Sequence, residues 1–114
     1  MSAVEQYARA HLVTDSSEGH RAVPVMLHYD PEADPHAVRI GLPGAPQRVC
    51  DRALLEQGLR APVTTDGVHV WPCGRVQTVV EFHAPDGVTV VQFDASALIR
   101  FLRRTHVAAT PVTH

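Results

Sequence analysis

The side chains of this 114-residue chain that could do chemistry are eight histidines, two cysteines and a thin scatter of carboxylates. The histidines are His11, His20, His28, His36, His69, His83, His106 and His114. An imidazole titrates near neutral pH and is a common metal ligand, so their spacing decides what they can do. Most alternate with apolar residues or sit in turn-like stretches. That is the pattern of solvent-facing strand residues, since a strand sends successive side chains to opposite faces. His69 and His83 can share a sheet face, but the turn near Gly74 does not set them directly opposite. Cys50 and Cys73 form no CxxC, so a structural zinc site is not expected. A Cys50–His nucleophile pair has only the residue types in its favour. Glu81, Asp86 and Asp94 do not make an acid–base pair, because Asp86 and Asp94 already read as turn and cap residues. GxxxxGK[ST], GxGxxG and GxSxG are all missing. No catalytic residue, metal ligand or cofactor is therefore assigned, and the chain is not expected to be an enzyme.

Contact residues are the other candidates. Trp71 and Tyr29 are the aromatics best suited to anchor an interface, although core burial is the commoner role of such rings. Arg52, Arg60, Arg100, Arg103 and Arg104 make a modest basic patch, more often a solvated helix face than a phosphate site. Trp71, Ile99, Phe101 and Arg103 are the candidate partner or oligomer contacts.

The elements that position these residues follow from periodicity. Asp51–Pro72 reads as helix, turn, strand. Asp51 is the N-cap; Leu54, Leu55 and Leu59 share a side; Gly58 weakens the helix near its end. Ala61-Pro62 stops it, Asp66-Gly67 turns the chain, and Val68–Pro72 alternates as a strand. Upstream, residues 1–8 read as a loose start or short helical arm, followed by strands at Ala10–Thr14, Arg21–Tyr29, around Val38–Leu42, and at Gln47–Cys50. Asp15-Ser16-Ser17-Glu18-Gly19 is a polar turn. Pro24 suits an edge strand or a bulge. Downstream, strands at Val76–His83 and Val88–Phe93 flank an Ala84-Pro85-Asp86-Gly87 turn. Asp94 then caps a helix over Ala95–His106, with Leu98, Phe101 and Leu102 as its packing stripe and Ile99 widening the apolar arc. The order is ββββ-α-βββ-α. Short turns between strands require antiparallel pairing, and helices gathered on one face give an α+β domain. One domain spans 9–108, with short termini at 1–8 and 109–114.

Composition narrows the function. The chain is 45% hydrophobic with a formal net charge of −2. It can bury a core without disulfide or metal, and it lacks the basic balance of a domain whose main partner is nucleic acid. No segment reads as a secretory signal or a membrane span. Both cysteines read as reduced thiols in the cytoplasm.

In order along the chain stand Val23-Pro24-Val25, Leu27-His28-Tyr29-Asp30, Asp34-Pro35-His36-Ala37-Val38, Arg52-Ala53-Leu54-Leu55-Glu56-Gln57-Gly58-Leu59 with Pro62, Asp66-Gly67-Val68-His69-Val70-Trp71-Pro72, and Phe101-Leu102-Arg103-Arg104-Thr105. Each piece is short; their order and spacing together resemble the SsgA-like sporulation and cell-division proteins of actinomycetes. The chain departs from that pattern at Val49-Cys50-Asp51, at Ala53 and in the Asp66-Gly67 order. The resemblance implies a non-enzymatic developmental regulator that localises or activates septation or wall-remodelling proteins. It implies a Whirly-like subunit assembled as a homotrimer, cytoplasmic and recruited to the division septum. Its implied partners are the division machinery, the tubulin-like FtsZ or another family member, or wall-remodelling proteins. It supplies no catalytic or ligand residue. The alternative is a single-stranded nucleic-acid-binding module on the same Whirly-like sheet.

Overall fold

The computed structural model describes residues 3–13, 20–85 and 87–110. The expected turn at Asp15–Gly19, the turn role of Asp86 and the tail beyond residue 110 lie outside them. The described chain runs β1 (Val4–Val13), β2 (His20–Tyr29), β3 (Ala37–Gly41), β4 (Arg48–Asp51), α1 (Arg52–Gly58), β5 (Val63–Thr65), β6 (Val68–Cys73), β7 (Gln77–Ala84), β8 (Gly87–Asp94) and α2 (Ala95–Ala109). The expected ββββ-α-βββ-α order thus lacks one strand, β5. The α+β class and antiparallel pairing stand.

All eight strands form one sheet in the order β4-β3-β2-β1-β8-β7-β6-β5. The chain starts in the middle with β1, works outward to β4, crosses to the far edge, and returns to place β8 beside β1. The crossing is made by α1 and Leu59–Pro62. That segment reaches at most about 24 Å. Seven interstrand spacings of a flat sheet measure about 34 Å. The sheet therefore curls, and both helices lie inside the curl. α1 contacts β4, β5 and β6, while α2 contacts β1, β7 and β8.

Strand alternation divides the sheet into a helix-covered face and a bare one. Val25, Leu27, Tyr29, Val38, Ile40, Val70, Val80, Val91 and Phe93 are fully enclosed on the covered face, together with Leu55, Leu98 and Phe101 from the helices. Residues 4–8, expected as a loose or helical start, are instead the first half of β1. Val4, Ala8 and Ala10 are buried there, and Val4 pairs with Tyr29. Gln6 points inward too, and its Nε2 donates to the Ala97 carbonyl at 3.0 Å. Small and polar residues on the buried face obscure the alternation in the sequence. Pro24 lies on an internal strand, opposite Arg9 of β1. β3 pairs with β2 only from Met26 to His28, so the edge where Pro24 lacks an N–H is open.

Asp66 and Gly67 both have positive φ, 42° and 79°, and Thr65 pairs with Val68. This is a two-residue hairpin turn of the type that Asp-Gly favours, and it creates β5. Val76 belongs to the β6–β7 turn and is 69% exposed, not the inward start of β7. Val79, on the bare face, is 5% exposed, beside Trp71 and Gln92. Asp51 caps α1, its Oδ1 accepting from the Ala53 N–H at 3.0 Å. Asp94 occupies the N-cap position of α2, but its side chain makes no cap hydrogen bond. The Ala95 N–H instead donates to the Val76 carbonyl at 2.8 Å. α2 continues past His106 to Ala109.

Candidate functional site

α2 buries Ala97, Leu98, Phe101, Leu102 and Thr105, which leaves Ile99, Arg103 and His106 along its outer side. Spacings of four and three put these three on one stripe. Two open grooves flank it, and Arg103 lines both. The first, about 380 Å³, lies between the helices, with Glu56 of α1 and Leu59 and Arg60 just after it facing Ile99, Leu102 and His106. The second, also about 380 Å³, runs between the end of α2 and the start of β1, lined by Ala3, Val4, Arg104, Val107 and Ala108. Val107 is 77% exposed and Ile99 38%. Arg104 reaches over β1, its Nη1 donating to the Glu5 carbonyl at 3.2 Å.

The ridge is rigid because the two helices are tied together. Arg52 Nη1 donates to the Tyr29 hydroxyl at 3.2 Å and to the Thr105 carbonyl at 3.3 Å. Its guanidinium lies 5.3 Å from the Tyr29 ring centroid, and the Tyr29 hydroxyl donates to the Pro35 carbonyl at 2.9 Å. Glu56 accepts the pull of Arg52 at 3.8 Å and bonds His106 Nε2 at 3.0 Å. Among the described residues, Arg60 and Arg103 have no acidic partner. An ordered basic and apolar ridge of this kind suits contact with another macromolecule.

The four expected contact residues are not brought together. Ile99 and Arg103 share the ridge. Trp71 lies half-buried on the bare sheet face, on the far side from α2. Phe101 has none of its surface exposed and fills the core between α2 and the sheet, so it has no area to offer a partner. Its place on the packing stripe carried that signal. Tyr29 is likewise enclosed.

Cys50 points into the core from β4, 3% exposed. Burial, with the neighbouring Asp51 carboxylate, pushes its thiol up to about 12, so at neutral pH it stays protonated and a poor nucleophile. Both cysteines are free. His69 and His83 do share a face without being directly opposite. Their ring centroids nevertheless come within 4.6 Å, with Glu81 bonded to His83. Glu81 was legible as a mid-strand residue by its alternation with Val80 and Phe82. Diagonal neighbours across a hairpin remain within reach of long side chains.

No helix of the described residues is long and apolar enough to cross a membrane. The family model for the Streptomyces sporulation and cell division protein SsgA matches residues 23–112. The sporulation-specific cell division protein SsgB of Streptomyces coelicolor is 37% identical over 105 residues, covering 86% of this chain and 76% of that protein. SsgB of Kineococcus radiotolerans is 35% identical over 97 residues, covering 78% of this chain and 58% of its own length. A solved structure described with mutations in SsgB that correlate to longitudinal cell division during sporulation of Streptomyces coelicolor matches with a TM-score of 0.81. It is 33% identical, covering 94% of this chain and 86% of that one. An SsgA-like sporulation-specific cell division protein from Thermobifida fusca shares the fold at a TM-score of 0.81 and 19% identity, over 96% of this chain and 84% of its own. On the family match and the Streptomyces coelicolor relative, this chain belongs to the SsgA family of sporulation and cell division proteins.

Proposed function

We propose that this chain is an oligomeric adaptor of sporulation-specific cell division, a regulator that localises or activates septation or wall-remodelling proteins through contacts and carries out no chemistry itself. The observation that carries this reading is the α2 ridge. Ile99 and Arg103, which has no acidic partner among the described residues, stand between two open grooves, on a helix whose apolar side is already satisfied by the core. The subunit is Whirly-like and assembles as a homotrimer in the cytoplasm. The assembly is recruited to the septum by the division machinery, FtsZ or another family member. The names of the relatives support the process. The ridge supports a contact role within it.

The aromatics favour this reading over a single-stranded nucleic-acid module. Such a module stacks successive bases on exposed rings. Here Tyr29, Phe82, Phe93 and Phe101 are all buried. Tyr7 and Trp71 share the bare face but stand three strands apart, about 14 Å by interstrand spacing.

Co-sedimentation with FtsZ polymers tests the partner. The wild-type chain pellets with the polymer, and Ile99→Asp with Arg103→Glu abolishes pelleting while circular dichroism stays unchanged. Absence of wild-type enrichment with FtsZ and with other division proteins overturns the septal reading.

A further inference from the structure

On the side of the sheet that no helix covers, β6 and β7 gather three side chains of metal-ligand type. His69 is directly opposite Glu81, and His83 follows Glu81 by two positions on the same face. One ligand atom from each of the three lies within 4.8 Å of the others. The imidazole centroids are 4.6 Å apart, and His83 Nε2 is bonded to Glu81 Oε1. Two imidazoles and a carboxylate are a donor set that zinc accepts with one coordination position left open. Ligand bonds of about 2.0–2.2 Å put tetrahedral donors about 3.4 Å apart. The His83–Glu81 pair is closer than that and would open around an ion, while separations of up to 4.8 Å would have to close by side-chain rotation.

A second observation concerns His69. Its Nδ1 lies 2.9 Å from Thr64 Oγ1 on β5. With the Nδ1 proton donated to that hydroxyl, the tautomer is fixed and the Nε2 lone pair is free for a cation. Metal-ligating histidines usually carry such an outer partner. The three ligands are also solvent-accessible, with the side chain of His83 41% exposed and that of Glu81 23%, so an ion can enter without opening the fold.

We propose that His69, Glu81 and His83 form a three-ligand site for a divalent transition-metal ion of the zinc class, with Thr64 as a positioning residue and the fourth position open to solvent. The ion replaces the His83–Glu81 hydrogen bond and clamps β6 to β7. It binds the folded chain only, so it raises thermal stability with concentration. The site is across the sheet from Ile99 and Arg103 and does not depend on the adaptor reading.

The test titrates the full chain, free of any histidine tag, with cobalt chloride and then zinc chloride. The expected result is one equivalent of cobalt with the intense visible bands of a four-coordinate ion, displaced by zinc, and a melting temperature that rises with zinc. His69→Ala, His83→Ala and Glu81→Gln each weaken binding by about ten-fold or more. His28→Ala, on the same face but remote, leaves it unchanged. Thr64→Val weakens binding by about ten-fold with Thr64→Ser restoring it, whereas unchanged affinity in Thr64→Val removes the positioning role. Failure of wild-type protein to bind either ion, or binding that survives intact in the His69→Ala/His83→Ala double variant, overturns the site.

Discussion

At the residue scale, two side chains are held in states their surroundings impose. Cys50 is a thiol kept neutral by burial and by Asp51. In native protein at neutral pH it should resist thiol reagents while Cys73, only partly buried, reacts; full reactivity should return in denaturant. Because the folded value lies above the unfolded one, the Cys50 contribution to stability is complete below the ordinary thiol range. It is lost as pH rises from about 9 toward 12, since the unfolded thiol ionises first. Urea melts across that window check the sign. Arg52 is the second case. One guanidinium bonds Tyr29 and the Thr105 carbonyl while pairing with Glu56. Arg52→Ala should cost about 1–3 kcal/mol. Arg52→Lys should recover little, because a compact ammonium lacks the planar fork. Equal stability of the lysine variant and wild type would show that charge alone suffices. The sequence marks Arg52 only as one basic residue among several. Glu56 is a local i,i+4 partner, but Tyr29 and Thr105 come from β2 and α2, distant in the chain, and no local pattern announces them.

At the element scale, the close approach of α1 to β6 turns on Gly58. A Cβ there would lie 2.1 Å from Val70 Cγ1 and 3.2 Å from the Val70 backbone carbon. Alanine is the better helix former by about 1 kcal/mol, yet Gly58→Ala should destabilise by about 1–3 kcal/mol through overpacking. Gly58→Ala combined with Val70→Ala should regain part of that loss. Chemical denaturation separates the cases, and a stabilised Gly58→Ala would contradict the packing seen. Read as sequence, Gly58 is a helix weakener; its packing role appears only once β6 is placed. Both helices were legible, from Asp51 and three leucines and from the Leu98, Phe101, Leu102 stripe, because amphipathic periodicity survives without tertiary knowledge. β5 was less visible, being only Val63-Thr64-Thr65, although Asp66-Gly67 beside β-branched residues is a hairpin signature. The first half of β1 was hidden by Gln6 and Ala8, weak strand formers whose burial is settled by the strands and helix around them.

At the scale of the whole molecule, an eight-stranded sheet curls around two helices and extends over 56 × 29 × 25 Å. The interior is complete without a partner: Phe101 is sealed and α1 is bonded to α2. An assembly of the proposed kind would use exposed surface such as the ridge or the bare sheet face, not unfinished core. That separation explains why the sequence groups Trp71 and Phe101 with Ile99 and Arg103, although only the last two share the ridge. Periodicity shows which residues of α2 point away from Leu98, but not that Trp71 lies across the sheet from them. The most direct measurement is the molar mass of the full chain at micromolar concentration by size-exclusion chromatography with light scattering. The proposed adaptor elutes as a stable trimer, and Ile99→Asp with Arg103→Glu reduces it to a folded monomer. A wild-type chain that runs as a clean monomer across that range contradicts the account.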